Sequence, residues 1–207
     1  MKFQMLAAVF GSALLIGSSS ARADQLGVNF TDVPSADATG SLWTLGYEFQ
    51  VTTPVTLDGL ATFDPSGALT QDVQVGLWAD NGTLIDLATV AAGSLAGPDG
   101  PFAEVSVTPI LLTPGYYDVG SYDPSDSWSG GESGVTVDPA ITFVQSRYSS
   151  QGTNFSYPNN NDEPDSVYAW FGGNVVLGGT AVPDASSSLI LLSVACLTLS
   201  ALRRKLA

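Results

Sequence analysis

The chain has 207 residues, with 20 acidic side chains, six basic ones and no histidine, and its formal net charge at pH 7 is −14. The lack of histidine excludes Ser-His-Asp and Cys-His catalysis and every histidine-ligated metal site. Within residues 24–183, Arg147 is the only cation beside 19 acidic residues. This stretch therefore has no lysine nucleophile and too few cations to neutralise nucleic-acid phosphates or to dock on an anionic membrane.

The first 23 residues have the three parts of a secretory signal peptide. Lys2 gives the basic start, residues 5–17 form an apolar stretch, and Ala21-Arg22-Ala23 is an A-x-A pattern in front of Asp24. We predict cleavage between Ala23 and Asp24; the alternative is an uncleaved N-terminal anchor. Cleavage at this position would begin the mature protein at Asp24.

Residues 24–177 have the pattern of short strands separated by turns. Gly, Pro, Asp, Asn and Ser recur at short intervals, and apolar residues alternate with polar ones, as Val73, Val75 and Leu77 do with their neighbours. This pattern predicts an all-β domain, an antiparallel β-sandwich of jelly-roll or immunoglobulin-like outline. The predicted strands are Leu42–Val51, Val55–Phe63, Asp72–Ala79, Thr83–Ala91, Phe102–Thr108, Tyr116–Tyr122, Ile141–Gln145 and Val167–Leu177.

Two turns and a linker divide this part of the chain. Asp80-Asn81-Gly82 predicts a hairpin with a type I′ turn, because Asn and Gly tolerate the positive φ angles of that turn. Thr113-Pro114-Gly115 predicts a tight turn before a late strand. Gly178-Gly179-Thr180-Ala181 predicts a short linker to the C-terminal tail.

Two polar loops carry candidate metal ligands. One loop contains Asp123 and Asp126, and the other contains Asp162 and Asp165. Because Ca²⁺ takes several oxygen ligands from carboxylates, amides and carbonyls, these four aspartates could hold calcium, although neither loop has the spacing of an EF-hand. The alternative is that they form Asx turns in exposed loops. No other cofactor is expected.

Aromatic side chains in the same loops are candidate ligand contacts. Trp128 and Tyr157 could stack on sugar rings, as aromatic residues do in many carbohydrate-binding β-sandwiches, whereas Trp43 and Trp78 are expected in the core. The alternative for each loop aromatic is packing beneath its own loop. A carbohydrate-binding module that uses these aromatics, with or without calcium, is therefore one candidate function.

Carboxylates are the only remaining source of acid–base chemistry. A polysaccharide hydrolase needs two of them flanking the scissile bond. The domain has four glutamates and 15 aspartates, so any compact fold would bring some pair together by chance. We expect no catalytic residues and no enzymatic activity, and a carboxylate-dependent polysaccharide hydrolase stands as the last alternative.

Residues 182–207 form a three-part tail. It begins with Val182-Pro183-Asp184-Ala185-Ser186, continues as an uncharged apolar run over residues 185–202, and ends with Arg203-Arg204-Lys205. A helix over the apolar run would be roughly 27 Å long, close to the ~30 Å hydrocarbon core of a bilayer. We predict a transmembrane helix with the basic stop on the cytoplasmic side; the alternative is a buried C-terminal helix. The only cysteine, Cys196, lies in this run, so the preceding domain has no disulfide.

The tail resembles a PEP-CTERM sorting signal, the C-terminal tag that exosortases handle on exported Gram-negative proteins. The usual pattern is Val-Pro-Glu-Pro-Ser, an apolar helix and an arginine-rich end; here Asp184 replaces the Glu and Ala185 replaces the second Pro. The resemblance implies a precursor anchored in the inner membrane and an exosortase-like processing protease. It also implies a final place at the cell surface or outside the cell, in the envelope or the exopolysaccharide (biofilm) matrix.

The middle of the chain resembles an uncharacterised β-sandwich domain that is common in PEP-CTERM proteins. The matching motifs are Val75-Gly76-Leu77-Trp78, the Leu-x-Pro-Gly-x-Tyr element at residues 112–117, and Phe171-Gly172-Gly173-Asn174. These motifs consist of turn and core residues, so the resemblance implies a fold and no activity. Taken together, the sequence predicts an exported, surface-sorted protein that is not an enzyme.

Overall fold

The structure is a computed structural model that describes residues 24–31, 35–38, 42–64, 67–98, 100–123, 127–130, 133–150, 152, 154–161 and 170–178. In these ranges every regular element is a β-strand and every strand pairing is antiparallel, which confirms the predicted all-β, antiparallel class. The strands in chain order are β1 (Gln25–Leu26), β2 (Val28–Asn29), β3 (Ser35–Ala38), β4 (Thr44–Val51), β5 (Val55–Phe63), β6 (Val73–Ala79), β7 (Leu84–Val90), β8 (Phe102–Leu112), β9 (Gly115–Tyr122), β10 (Ser127–Gly130), β11 (Thr136–Val137), β12 (Ile141–Tyr148), β13 (Asn160–Asn161) and β14 (Gly173–Gly178).

Hydrogen bonds join most of the described strands into two sheets. The first has four strands in the order β1-β14-β5-β8, and the second has six in the order β13-β12-β4-β9-β6-β7. Two further pairs, β10 with β3 and β11 with β2, stand outside these sheets. Short crossings link the sheets: residues 52–54 connect β4 to β5, and Thr113-Pro114 connect β8 to β9, as the predicted tight turn requires.

The core lies where the inward faces of the two sheets contribute to one hydrophobic cluster. In β4, Tyr47, Phe49 and Val51 are buried in this cluster, and they alternate with Glu48 and Gln50, which point to the other face. Four phenylalanines from the four-stranded sheet, from the N-terminal segment and from the residues before β14 pack edge-on or tilted, with ring centroids 5.4–6.0 Å apart. They are Phe30, Phe63, Phe102 and Phe171.

The Phe171-Gly172-Gly173-Asn174 motif makes the closest approach between the sheets. A Cβ atom on Gly173 would lie 2.5 Å from the carbonyl carbon of Gly120 in the opposite sheet, so only glycine fits there. Asn174 is buried next to it and holds the N-terminal segment. Its Oδ1 accepts hydrogen bonds from the Val28 N–H (3.2 Å) and the Tyr47 hydroxyl (2.6 Å), and its Nδ2 donates to the Val28 carbonyl (2.6 Å).

Each of the eight predicted strands overlaps an observed strand; Val55–Phe63 coincides with β5, and the other seven differ from the observed bounds at one or both ends. The hairpin at residues 80–82 forms, but Ala79 N–H bonds to the Thr83 carbonyl, so the loop has three residues instead of the two of a type I′ turn. Gly82, the last loop residue, has φ +79°, as such loops require. Gly178, predicted as the first linker residue, is the last residue of β14.

Several predictions concern residues outside the described ranges. These are the signal peptide with Ala21 and Ala23, the sorting motif at residues 182–186, the transmembrane helix over 185–202 and the basic stop at 203–205. Among the residues that are described, no helix has the length and hydropathy to cross a bilayer.

Candidate functional site

The most polar buried cluster of the described chain lies on the outer face of the six-stranded sheet, the face that points away from the core. Side chains of β4, β9 and β6 reach this face at every second residue, because their neighbours Tyr47, Val119 and Leu77 point into the core. Arg147 of β12 lies on the same face, since it is the register partner of Gly46 on β4. The register places Glu48 of β4 opposite Asp118 of β9, and Asp118 opposite Trp78 of β6.

Arg147 of β12 is the centre of this cluster. Its Nε donates to Asp118 Oδ1 at 2.9 Å, and its Nη2 lies 3.0 Å from Glu48 Oε2 and 3.9 Å from Asp80 Oδ1. Its Nη1 donates to the side-chain oxygen of Asn161. Arg147 is only 8% exposed, so the single cation of residues 24–183 is used inside the fold. A guanidinium suits this position, because its planar fork of N–H donors serves several acceptors at once.

The acid–base properties of the cluster follow from its burial. Burial raises the pKa of Asp118 to about 6, opposed by the Arg147 charge and by the hydrogen bond from Tyr157, while the Glu48 charge raises it further. Asp118 is completely buried, so its ionised form depends on Arg147 for compensation. Burial also raises the pKa of Tyr157 to about 12, and its bond to Asp118 acts in the same direction.

A row of glycines crosses the outer face beside the cluster. Gly46, Gly120 and Gly76 are register partners on β4, β9 and β6, and together they form a trough without side chains. The segment 154–161 lies over this trough. A Cβ atom on Gly76 would be 2.5 Å from the Phe155 ring, and one on Gly120 would be 3.5 Å from Pro158. Gly76 is therefore needed to let this segment reach the sheet.

Aromatic and polar contacts hold the segment 154–161 in place. The Phe155 ring stacks on Trp78 with centroids 5.1 Å apart, and the Tyr157 ring lies 5.9 Å from Trp78. The Tyr157 hydroxyl donates to Asp118 Oδ2 at 2.9 Å and lies 3.1 Å from the Asp80 carbonyl. The ion cluster and the covering segment thus form one interlocked unit.

The polar groups of this unit are engaged with one another inside the domain. Glu48 and Asp118 are adjacent carboxylates with distinct environments, which is the composition of a general acid–base pair. Asp118 has no exposed surface, and Glu48 is bonded to Arg147 and to the Gln145 amide. The cluster therefore fixes the covering segment on the sheet.

The structure describes only some of the predicted site residues. Tyr157 belongs to the interlocked unit. Asp123 is buried and its Oδ1 accepts from the Gln71 side-chain amide at 3.2 Å. Asp126, Asp162 and Asp165 lie outside the described residues, and of Trp128 only the backbone, paired with Asp37 between β10 and β3, is described. Calcium binding by the four aspartates stays a prediction. In the described ranges no group of three or more acidic or cysteine side chains is arranged to hold a metal.

A cleft of about 340 Å³ lies beside the N-terminal segment, with Asp24, Asn29, Thr136 and Asp138 in its lining. Asp138 is buried, and its Oδ1 accepts from the Ala140 N–H at 2.8 Å, which stabilises the turn before β12. The Asp138 carboxylate in the lining of this cleft therefore has a structural partner.

Sequence reasoning missed Arg147, Glu48 and Asp118 as a unit. The available signal was the isolation of Arg147: one cation among 19 acids, in a strand pattern, is a strong candidate for a buried ion pair. Its partners could not be chosen, since Glu48 lies 99 positions earlier.

Comparisons of the chain with models of protein families, with curated proteins and with solved structures find no match.

Proposed function

We propose that this chain is an exported, surface-sorted β-sandwich protein of the cell envelope or exopolysaccharide matrix, without enzymatic activity. The observation that carries the proposal is the position of the chain ends. Gln25 of β1 is paired with Leu177 of β14, so the chain enters and leaves the described domain at neighbouring strand ends. The predicted cleavage site directly precedes one end, and the predicted sorting tail follows the other.

The N-terminal segment supports cleavage after Ala23. Leu26, Val28 and Phe30 are buried in the hydrophobic cluster, and the Gly27 N–H bonds to the Val175 carbonyl at 2.8 Å. The first strand begins at Gln25, two residues beyond the proposed scissile bond. Cleavage there would release the signal peptide and leave every residue of this packed segment in the mature protein.

The charge distribution supports a location outside the cytoplasm. It also argues against nucleic acid and anionic lipid headgroups as partners. Because Arg147 is buried in its ion cluster, the solvent-facing charges of residues 24–183 are acidic. An acidic, disulfide-free domain remains soluble through mutual repulsion of its surface charges. The proposed partners are an exosortase-like protease, the membrane through the helix at 185–202, and extracellular polysaccharide.

Cell fractionation tests this proposal. In a Gram-negative host that makes an exosortase, the protein expressed from the full-length sequence is expected in the membrane and surface fractions. A variant that ends at Ala181 is expected in soluble periplasmic or culture fractions. Cys196→Ser is the matched control, because it leaves the length and apolar character of the tail unchanged. Recovery of the intact chain from the cytosol as a soluble protein would contradict the proposal.

A further inference from the structure

Tyr116 is an aromatic ring exposed in the middle of a sheet. It lies on β9, which has β4 on one side and β6 on the other, and it is 45% exposed. Its neighbour Tyr117 points to the core, where its ring stacks on Phe49 with centroids 5.7 Å apart, so Tyr116 projects from the outer face. Among the side chains that the structure describes, Tyr116 is the most exposed aromatic one. Tyrosine is enriched at binding interfaces, because its ring offers apolar area and its hydroxyl a hydrogen-bonding group.

Hydrogen-bonding side chains surround this ring at fixed positions. Tyr116 is the register partner of Gln50 on β4, and Gln50 is the partner of Thr142 on β12. On the other side the Asp80 N–H bonds to the Tyr116 carbonyl, and the Asp80 side chain is 61% exposed. The Thr142 hydroxyl of β12, the Gln50 amide of β4 and the Asp80 carboxylate of the β6–β7 hairpin loop therefore lie in one line, with the ring inside the line. These four positions span about 14 Å, the sum of three interstrand spacings.

The ion cluster makes this surface rigid. The next row on the outer face contains Glu48 and Asp118, whose positions are fixed by Arg147. Asp80 also lies within 3.9 Å of Arg147, so the polar edge of the Tyr116 surface is tied to the same guanidinium. A pre-organised surface loses little conformational entropy when a ligand binds.

Charge selects the class of ligand. Arg147 is buried and already bonded to Asp118, Glu48 and Asn161, so it has no capacity to bind the carboxylate or sulfate of an anionic polymer. Asp80 would repel such a polymer. A ligand that suits the surface is uncharged, offers many hydroxyls, and has an apolar face to lie against the ring. Pyranose sugars have this combination, because axial C–H groups can stack on the electron-rich face of an aromatic ring.

The geometry points to a binding site for neutral polysaccharide on the outer face of the six-stranded sheet, with Tyr116 as the stacking platform and Gln50, Thr142 and Asp80 as hydrogen-bonding groups. This inference rests on the proposed function, since it names the class of matrix component that the exported protein binds. One site of this kind binds weakly. Repetition of the sugar unit along a polymer raises the effective affinity through rebinding.

Affinity electrophoresis of the intact chain, purified in detergent, tests the site with three neutral probes: hydroxyethyl cellulose, dextran and galactomannan. Alginate serves as the anionic probe. We expect retardation by at least one neutral polymer and none by alginate. Tyr116→Ala should weaken that interaction about tenfold, and Tyr116→Phe should retain it because the ring remains. Leu111→Ala, which removes an even more exposed apolar side chain from the other sheet, is the matched control and should bind as the native chain does.

Three outcomes would overturn the inference: no retardation by the neutral polymers, retardation by alginate alone, or unchanged binding by Tyr116→Ala. Thermal melting of each variant verifies that it is folded. If Tyr116→Ala does not fold, Tyr116→Leu replaces it, because leucine removes the aromatic ring but keeps an apolar side chain. If the protein is recovered at the cell surface but does not bind the neutral polymers, only this site is rejected. If the protein binds them but is recovered from the cytosol, only the proposed function is rejected.

Discussion

Replacing Arg147 with methionine is expected to lower the free energy of unfolding by about 3–5 kcal/mol at neutral pH. Methionine fills much of the same volume but leaves Glu48 and Asp118 buried without a counter-charge. It also removes the donor to Asn161, and so loosens the segment that covers the sheet. Urea denaturation monitored by tryptophan fluorescence measures the change. The loss would be a large part of the 5–15 kcal/mol by which domains are usually stable.

Two controls separate the buried partners from the exposed one. Asp80→Asn removes a carboxylate whose side chain is 61% exposed, and it should cost less than about 1 kcal/mol. The triple variant Glu48→Gln, Asp118→Asn, Arg147→Met removes all three buried charges, and it should recover most of the stability lost in Arg147→Met. An Arg147→Met protein as stable as the native one would show that the cluster is not buried as described.

The stability loss of Arg147→Met should depend on pH, and the direction of this dependence is a further test of the ion cluster. The pKa of Asp118 is raised to about 6 in the folded protein from 3.8 in the unfolded chain, so folding takes up a proton between these values. This group therefore favours folding most at low pH, and that contribution is lost as the pH rises through about 6. Removing Arg147 raises the pKa further, because its charge is one of the effects that lower it. The defect should shrink as the pH falls from 7.5 to 5, where Asp118 becomes neutral.

Replacing Asn174 with alanine is expected to destabilise the domain by about 3–5 kcal/mol. The substitution removes the Asn174 partner of four groups: the Val28 N–H, the Val28 carbonyl, the Tyr47 hydroxyl and the Val175 N–H. Val28 and Tyr47 are fully buried, so water cannot replace the lost bonds without opening the core. The urea midpoint of Asn174→Ala, with the slope unchanged, measures the loss.

Tyr47→Phe is the matched control for Asn174. It removes the hydroxyl together with its hydrogen bond, while the amide of Asn174 keeps both contacts to Val28. The expected cost is about 1 kcal/mol, well below that of Asn174→Ala. Burial raises the pKa of Tyr47 strongly, so its hydroxyl is a neutral donor throughout the usual pH range. Equal losses in the two variants would contradict the role of Asn174 as the anchor of the N-terminal segment.

The strand class and most long strands of this fold could be predicted, because alternating burial leaves a period of two in the sequence. Val73, Val75 and Leu77 are all buried, as their alternation requires. The shortest strands could not be found in this way. A two-residue strand such as β1 or β2 has no period, and it exists because Gln25 meets Leu177 and Val28 meets Val137. Contacts between residues so far apart are not visible in local patterns.

The glycines of the outer face show the same limit. Gly46, Gly76 and Gly120 interrupt three strands, and in isolation each indicates only a weak point or a bulge. Their register creates the trough that receives Phe155 and Pro158. The pairing of three strands must be known before the trough can be recognised.

The candidate site divides along similar lines. The sequence indicates Tyr157 as a loop aromatic that either stacks on sugar rings or packs beneath its own loop. In the structure its ring lies near Trp78 and its hydroxyl bonds to Asp118. Tyr116 was assigned to a strand, and nothing local distinguishes it from Tyr117 beside it. The face to which each ring points depends on the register of β9 with β4 and β6. Sequence reasoning identified the chemistry of aromatic and acidic side chains but not their arrangement.

Intact mass spectrometry of the protein recovered from its producing cells tests export and processing in a single measurement. The predicted result is a polypeptide that begins at Asp24 and lacks the residues beyond the sorting motif at 182–186. Such a mass requires both the cut after Ala23 and the action of a tail-processing protease. A mass for the entire chain, from Met1 to Ala207, in a cytosolic extract would contradict the claim.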